Sequence, residues 1–249
     1  MSARPARDPA GAGAVAHVFV DALDDEVEVG GADGHHLQRV RRLTPGEILT
    51  AADGTGAWRC YAVGDAGRGA LTLRARGGVE HAPQPSTGVA LAVALTKGGL
   101  DDVVTAVTEL GAVRVIPVRT ARMVVRWDET RARRVVERLR TVAREAAMQS
   151  RRARLPEVDD VTDLASLVGR PDLVVADRDG VPAAELPRPA RGGQWTVLVG
   201  PEGGLAPHEL EAFAAHPRLT LGRHVLRAAT APVAAVAVLM GETVRLVPE

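Results

Sequence analysis

Cysteine occurs once, at Cys60, so no disulfide can form within the chain and no cysteine-built metal site is expected. Lysine also occurs once, at Lys97, which leaves arginine to supply nearly all the positive charge. Aromatic residues make up only 2% of the chain, so any RNA recognition by stacked aromatic platforms is limited. No segment approaches the roughly 20 consecutive apolar residues that span a bilayer. There is no Gly-Lys-Ser or Gly-Lys-Thr for a triphosphate loop, and no Gly-x-Ser-x-Gly elbow for a serine hydrolase. Gly11-Ala-Gly13-Ala-Val-Ala16 has the spacing of a dinucleotide fingerprint, but no strand precedes it and the match reads as accidental. The opening residues lack the apolar core of a signal peptide, so 1–14 is expected to be a disordered leader and the chain cytoplasmic.

What is present is an ordinary globular composition, 46% hydrophobic and 25% charged, over 249 residues: one large domain or two modest ones. Net charge is zero, which excludes a histone-like coating of nucleic acid. The distribution is uneven, however, with nine arginines against two glutamates between Arg131 and Arg154. A local basic face of that kind can grip phosphates.

Short strands separated by Gly and Asp turns are expected at 16–20, 47–51, 57–63 and 70–74, with a short basic helix over 35–43. That rhythm suggests a small β-barrel over 15–80. The Pro- and Gly-bearing stretch 81–88 reads as a linker. From Val89 onward strands at 89–95, 113–118, 173–176 and 195–199 alternate with helices at 100–110, 130–149 and 229–244. Such alternation predicts an α/β domain with a mostly parallel sheet over 89–249.

Gly200-Pro201-Glu202-Gly203-Gly204 follows one of these apolar strands and precedes a helix with Pro207 near its first turn. Open α/β sheets bind ligands at the carboxyl ends of their strands, and glycine lets the main chain approach a ligand closely. A second loop, Leu221-Gly222-Arg-His-Val225-Leu226-Arg227-Ala228, leads into the closing helix, which Thr230 can cap. Two such loops could grip a flat, uncharged ring by backbone hydrogen bonds and apolar side chains. Asp177-Arg178-Asp179-Gly180 closes another strand, as a turn or as a pocket rim. Arg144, Gln149, Arg151 and Arg152 gather at the end of the long basic helix, where arginine forks suit phosphate and flat bases. His35 and His36 are adjacent, which suits a surface or phosphate contact rather than a shared metal.

The ordered set His36-Leu-Gln-Arg-Val-Arg41, Lys97-Gly98 with Thr108-Glu-Leu-Gly111, Glu145-Ala-Ala-Met-Gln-Ser-Arg151, Gly200-Pro-Glu-Gly-Gly204 and Leu226-Arg227-x-x-Thr230-Ala231 resembles the RsmE family. These are 16S ribosomal RNA uridine-N3 methyltransferases of the SPOUT superfamily. The resemblance implies an N-terminal PUA-like barrel, a C-terminal SPOUT domain tied in a deep trefoil knot, and a homodimer formed through that domain. It implies S-adenosylmethionine as the methyl donor and no metal. Leu198, Gly200, Pro201, Glu202, Gly203, Gly204, Leu221, Gly222, Val225, Leu226 and Ala228 would then hold the donor. Arg227 is the candidate cation beside the reacting uracil, and Glu202 a candidate base or a structural carboxylate. His36, Arg39, Arg41, Arg42, Lys97, Arg144, Gln149, Arg151 and Arg152 are the candidate RNA contacts, the partner being 16S RNA or the assembled small subunit. The family commonly has Leu-Arg-x-Glu-Thr-Ala where this chain has Ala229, so no role of that glutamate carries over. Two other readings stay open at this point. One is a SPOUT enzyme acting on another RNA or on a ribose 2′-oxygen; the other is a non-catalytic RNA-binding relative.

Overall fold

The computed structural model describes residues 8–67, 70–85, 87–96, 98–123, 128–190 and 192–244. Lys97 therefore lies outside the described residues. The chain divides into two compact units, one of residues 1–84 with 147–155, the other of 85–146 with 156–249.

In the first unit, β1 (Ala16–Phe19), β2 (Glu26–Val29), β3 (Ile48–Ala52), β4 (Ala57–Gly67) and β5 (Ala70–His81) form one sheet in the order β1-β3-β4-β5-β2. Alternation sends Leu49, Ala51, Tyr61, Val63, Leu71 and Leu73 to one face, where they bury with Val29 and Leu37. Leu37 comes from a basic helical stretch, α1 (Gly31–His35), which runs on into a π-helical turn at His36–Val40. Among the described residues β1 and β2 are not paired with each other, so where a small β-barrel is expected the sheet is a half-barrel. β2 was not foreseen, because Glu-Val-Glu-Val offers only two apolar residues to an alternation count. Residues 8–14 are not a disordered leader. The Asp8 carboxylate accepts from the Ala10 amide at 3.0 Å, capping a 3-10 turn at Pro9–Ala12, and Pro9 and Ala14 are buried.

The stretch 147–155, read in the sequence with the second domain, packs with the first. Ala147 and Ala153 bury against Trp58, Phe19 and Ala52. The Arg154 guanidinium donates to the carbonyls of Thr55 and Ala82, and the Leu155 amide donates to the Gly54 carbonyl at 2.9 Å.

The second unit carries a parallel sheet of β6 (Gly88–Ala94), β7 (Arg114–Arg119), β8 (Glu157–Val158), β9 (Thr162–Asp163), β10 (Leu173–Val181), β11 (Gln194–Val199) and β12 (Arg218–Leu219). Its order is β12-β10-β11-β6-β7-β8, with β9 also on β7. The unbroken apolar run of β6 is explained by burial on both faces: Val89, Leu91 and Val93 enter one core, Ala92 and Ala94 the other. The first core is filled from α2 (Leu100–Glu109), α3 (Glu129–Gln149) and α5 (Thr230–Val244). The second is closed by a 3-10 turn at Leu164–Leu167 and by Phe213, just after α4 (Pro207–Ala212). No helix among the described residues is long and apolar enough to cross a membrane.

Candidate functional site

Because β10, β11 and β12 are parallel neighbours, their carboxyl ends lie side by side and the three loops that follow converge. They enclose a cavity of about 470 Å³, within the range of small-ligand sites. Val175, Ala176, Asp177 and Arg178 line it from β10, Val199 to Leu205 from the glycine loop apart from Gly203, and Leu221 to Ala228 from the third loop apart from Arg223 and Arg227. The walls are mostly apolar side chain and bare main chain, a surface suited to a flat ring.

The glycine loop is set by local geometry. The Gly204 amide donates to the Pro201 carbonyl at 2.8 Å, and Gly204 sits at φ 67°, where a side chain would be strained. A Cβ on Gly200 would come within 3.3 Å of Leu205, whose buried side chain closes the loop against the sheet. The acid that braces the loop is not Glu202. Glu202 is exposed, and among the described residues its carboxylate takes no hydrogen bond from the loop amides. Glu209 does that work. It is buried, with Oε2 accepting from the Ala206 amide and Oε1 from the Ala121 amide, both at 2.7 Å. The helix starts on an alanine that has no side-chain acceptor, so a carboxylate reaching back from its first turn satisfies the end instead. Arg122, next along from Ala121, donates to the Gly203 carbonyl at 2.9 Å, so the segment after β7 holds both the glycine loop and the start of α4.

Of the residues the sequence nominated for a donor, Gly200, Pro201, Glu202, Gly204, Leu221, Gly222, Val225, Leu226 and Ala228 line the cavity. Leu198 does not; its side chain is fully buried in the other core, and its neighbour Val199 takes the wall. Gly203 stays outside, its carbonyl engaged by Arg122. Arg227 is exposed and off the cavity wall, while its carbonyl accepts from the Thr230 and Ala231 amides at 2.9 Å and so fixes the start of α5. Asp177 ion-pairs with Arg218 at 3.0 Å and accepts from the Asp179 amide, and it rims the cavity from within β10 rather than making a hairpin turn.

The basic candidates fall elsewhere. His36, Arg39, Arg41 and Arg42 are exposed around the π-helical turn of the first unit. Gln149 is exposed, and Arg144, Arg151 and Arg152 are half-buried near the end of α3. There the Arg152 amide donates to Ala147 and the Arg151 amide to Met148, a paired closure of the helix end with Arg151 at φ 57°. Burial lowers the Arg152 guanidinium to about 10, opposed by the Asp8 carboxylate, and it stays charged at neutral pH. His17 supports this turn from below. It is buried in β1, and its Nε2 lies 3.0 Å from the Arg152 carbonyl. A carbonyl can only accept, so Nε2 carries the proton and Nδ1 receives the Thr50 hydroxyl at 2.8 Å. Desolvation pushes its pKa down to about 4.

Comparison with known proteins finds two matching domain families. A model of an RNA methyltransferase domain matches residues 83–240, and one of an RNA methyltransferase PUA domain matches 29–75. Ribosomal RNA small subunit methyltransferase E of Mycobacterium bovis is 37% identical over 229 residues, covering 86% of each chain. The chain belongs to the ribosomal RNA small subunit methyltransferase E family. The Bacillus subtilis member is 30% identical over 247 residues, covering 90% of this chain and 96% of the other. The fold is shared with the crystal structure of the Neisseria gonorrhoeae methyltransferase E bound to S-adenosyl methionine. That likeness has a TM-score of 0.78 at 23% identity, over 89% of this chain and 95% of that one.

Sequence reasoning missed several residues that hold these two units. Glu209 carried a readable signal, an acid two residues after a proline at a helix start. Arg122 and His17 carried none, since their partners lie 81 and 135 residues away.

Proposed function

We propose that this chain transfers a methyl group from S-adenosylmethionine to N3 of a specific uridine in 16S ribosomal RNA of the small subunit. What supports this reading most is the cavity at the ends of β10, β11 and β12 in a chain of this family. Its residues fit the donor. Val175, Leu205, Leu226 and Ala228 would face the adenine, and the bare backbone of Gly200 and Gly204 admits close approach that a Cβ would narrow. Asp177, fixed by Arg218, offers a carboxylate on the wall. The donor supplies a methyl group already activated by its sulfonium, so the chain's main task is alignment of nucleophile and methyl.

Uracil N3 holds a proton at neutral pH and must lose it. The exposed Arg227 guanidinium, on a backbone fixed by its own carbonyl, would stabilise the anionic uracil as charge develops. Glu202, exposed on the cavity rim, is the candidate acceptor for the proton. His36, Arg39, Arg41, Arg42, Lys97, Arg144, Gln149, Arg151 and Arg152 would hold the RNA, through phosphates above all. We further propose a trefoil-knotted second unit, a cytoplasmic location and a homodimer through α5.

Two measurements test the proposal together. Titration calorimetry should show S-adenosylmethionine binding to the purified chain. Mass spectrometry of 16S RNA should show N3-methyluridine lost in a deletion strain and restored by the gene. Donor binding with unchanged N3-methyluridine would shift the target to another RNA atom. No donor binding with RNA affinity intact would favour a non-catalytic relative.

A further inference from the structure

Among the described residues, only two non-glycine positions have left-handed backbone, Arg42 at φ 55° and Arg151 at φ 57°. Both are arginine, both follow a helix end, and both belong to the first unit. At such a position an L side chain crowds the following carbonyl, and glycine is the strain-free choice. An arginine held there needs a reason.

Closing the helix ends is not that reason, because the backbone already does it. Arg41 and Leu43 donate their amides to His36 and Leu37 at 3.0 and 3.2 Å, and Arg151 and Arg152 donate to Met148 and Ala147 at 3.2 and 2.9 Å. Favourable charge against the helix dipole is not the reason either. Arg39 and Arg41 at the first end, and Arg152 just past the second, already supply it without left-handed backbone. Nor are the side chains committed elsewhere, since neither guanidinium has an ion pair among the described residues. The Arg151 turn is, in addition, tied down on both sides. His17 holds the Arg152 carbonyl, and Arg154 is locked on Thr55 and Ala82 under Gly56, where a Cβ would overlap its guanidinium.

We infer that Arg42 and Arg151 are the two phosphate-gripping points of the first unit, kept as arginine in glycine's conformation because their side chains hold the RNA backbone. This rests on the RNA-substrate reading above. It divides the labour among the basic residues: Arg154 is structural, Arg152 is largely desolvated, and Arg151, half-buried, keeps a guanidinium with no ion pair among the described residues. A guanidinium on a closed, braced turn meets a phosphate with its fork already placed.

The test replaces each arginine by glycine or lysine (R42G, R151G, R42K, R151K and the double glycine variant) in the full chain. Binding to purified 16S ribosomal RNA is measured against salt, and the thermal midpoint is recorded in parallel. Each glycine variant should lower RNA affinity and reduce the slope of log affinity against log salt by about 0.7–0.9, and the double variant by about twice that. The thermal midpoint should hold or rise by a few degrees, and the lysine variants should keep most of the slope. Wild-type slopes in the glycine variants overturn the inference while leaving the RNA reading standing. A midpoint that falls with affinity overturns it too, since the side chains would then be supporting the fold. A wild-type chain that binds no 16S RNA overturns both.

Discussion

His17 joins β1 to a turn 135 residues further on, and burial keeps its ring neutral there. Its folded pKa of about 4 lies below the ordinary value of 6.5, because burial disfavours the charged ring. The unfolded chain therefore binds the extra proton first as pH falls. The stability His17 supplies is complete above pH 6.5 and drains away as pH drops toward 4. Between pH 7 and 5 the first unit should lose about 2 kcal/mol through this one ring. Denaturant unfolding of the wild type and His17→Gln at both pH values checks it, since glutamine keeps a donor for the Arg152 carbonyl but cannot titrate. Equal pH slopes in the two proteins would remove the claim. Nothing in Ala16-His-Val-Phe marks this histidine, because a strand's alternation reports which face a residue takes and not what it meets there. Glu209 differs. Its role follows from a proline and an acid at a helix start, whereas Glu202, more prominent in the sequence, is exposed and takes no hydrogen bond among the described residues.

At the level of elements, the cavity depends on how closely β10 and β12 approach. Val175 and Ala176 pair with Arg218 and Leu219, then the register shifts and Val181 pairs with Leu219 again. Gly180 lies inside that irregularity, where a Cβ would stand 2.6 Å from the main chain of Arg218 and Leu219. Backbone cannot swing aside as a side chain can. Gly180→Ala should therefore force the strands apart, lowering stability by roughly 1–3 kcal/mol and weakening S-adenosylmethionine binding, both readable by denaturant melts and calorimetry. Tight donor binding in that variant would mean the β10–β12 approach does not shape the site. The glycine loop was legible because a buried strand, a bare turn and a helix start succeed each other within a few residues. β10 was not legible to its full length: Asp177-Arg-Asp-Gly180 looks like a turn, and only its pairing with β12 makes it a strand. The half-barrel was read in four of its five strands, the polar β2 being lost.

For the whole molecule, α5 is the element with apolar surface to spare. It carries one acid, Glu242, among small apolar residues; Val238 is 41% exposed, with Ala237 and Gly241 exposed beside it. A helix apolar on nearly every side belongs in contact on nearly every side, and a second copy is the proposed cover. Val238→Glu should halve the mass seen by light scattering while leaving each unit folded. A wild-type chain that already runs as a monomer would dismiss the dimer. The family was legible from motifs in order, since each is short and local. The long-range assembly was not, because no periodicity shows that the last residues of a helix and the six that follow will return to the earlier unit.

That return has a consequence for how the protein is made. The chain passes from one unit to the other three times, and the last piece of the first unit is 147–155. A ribosome synthesising this protein delivers Arg42 early, but cannot supply Ala147, Ala153 and Arg154 until the front of the second unit has emerged. The first unit is thus completed in the midst of the second. A fragment stopped at Gln84 would lack the side chains that cover Trp58, so cutting the gene at the apparent domain boundary would yield an unfinished half.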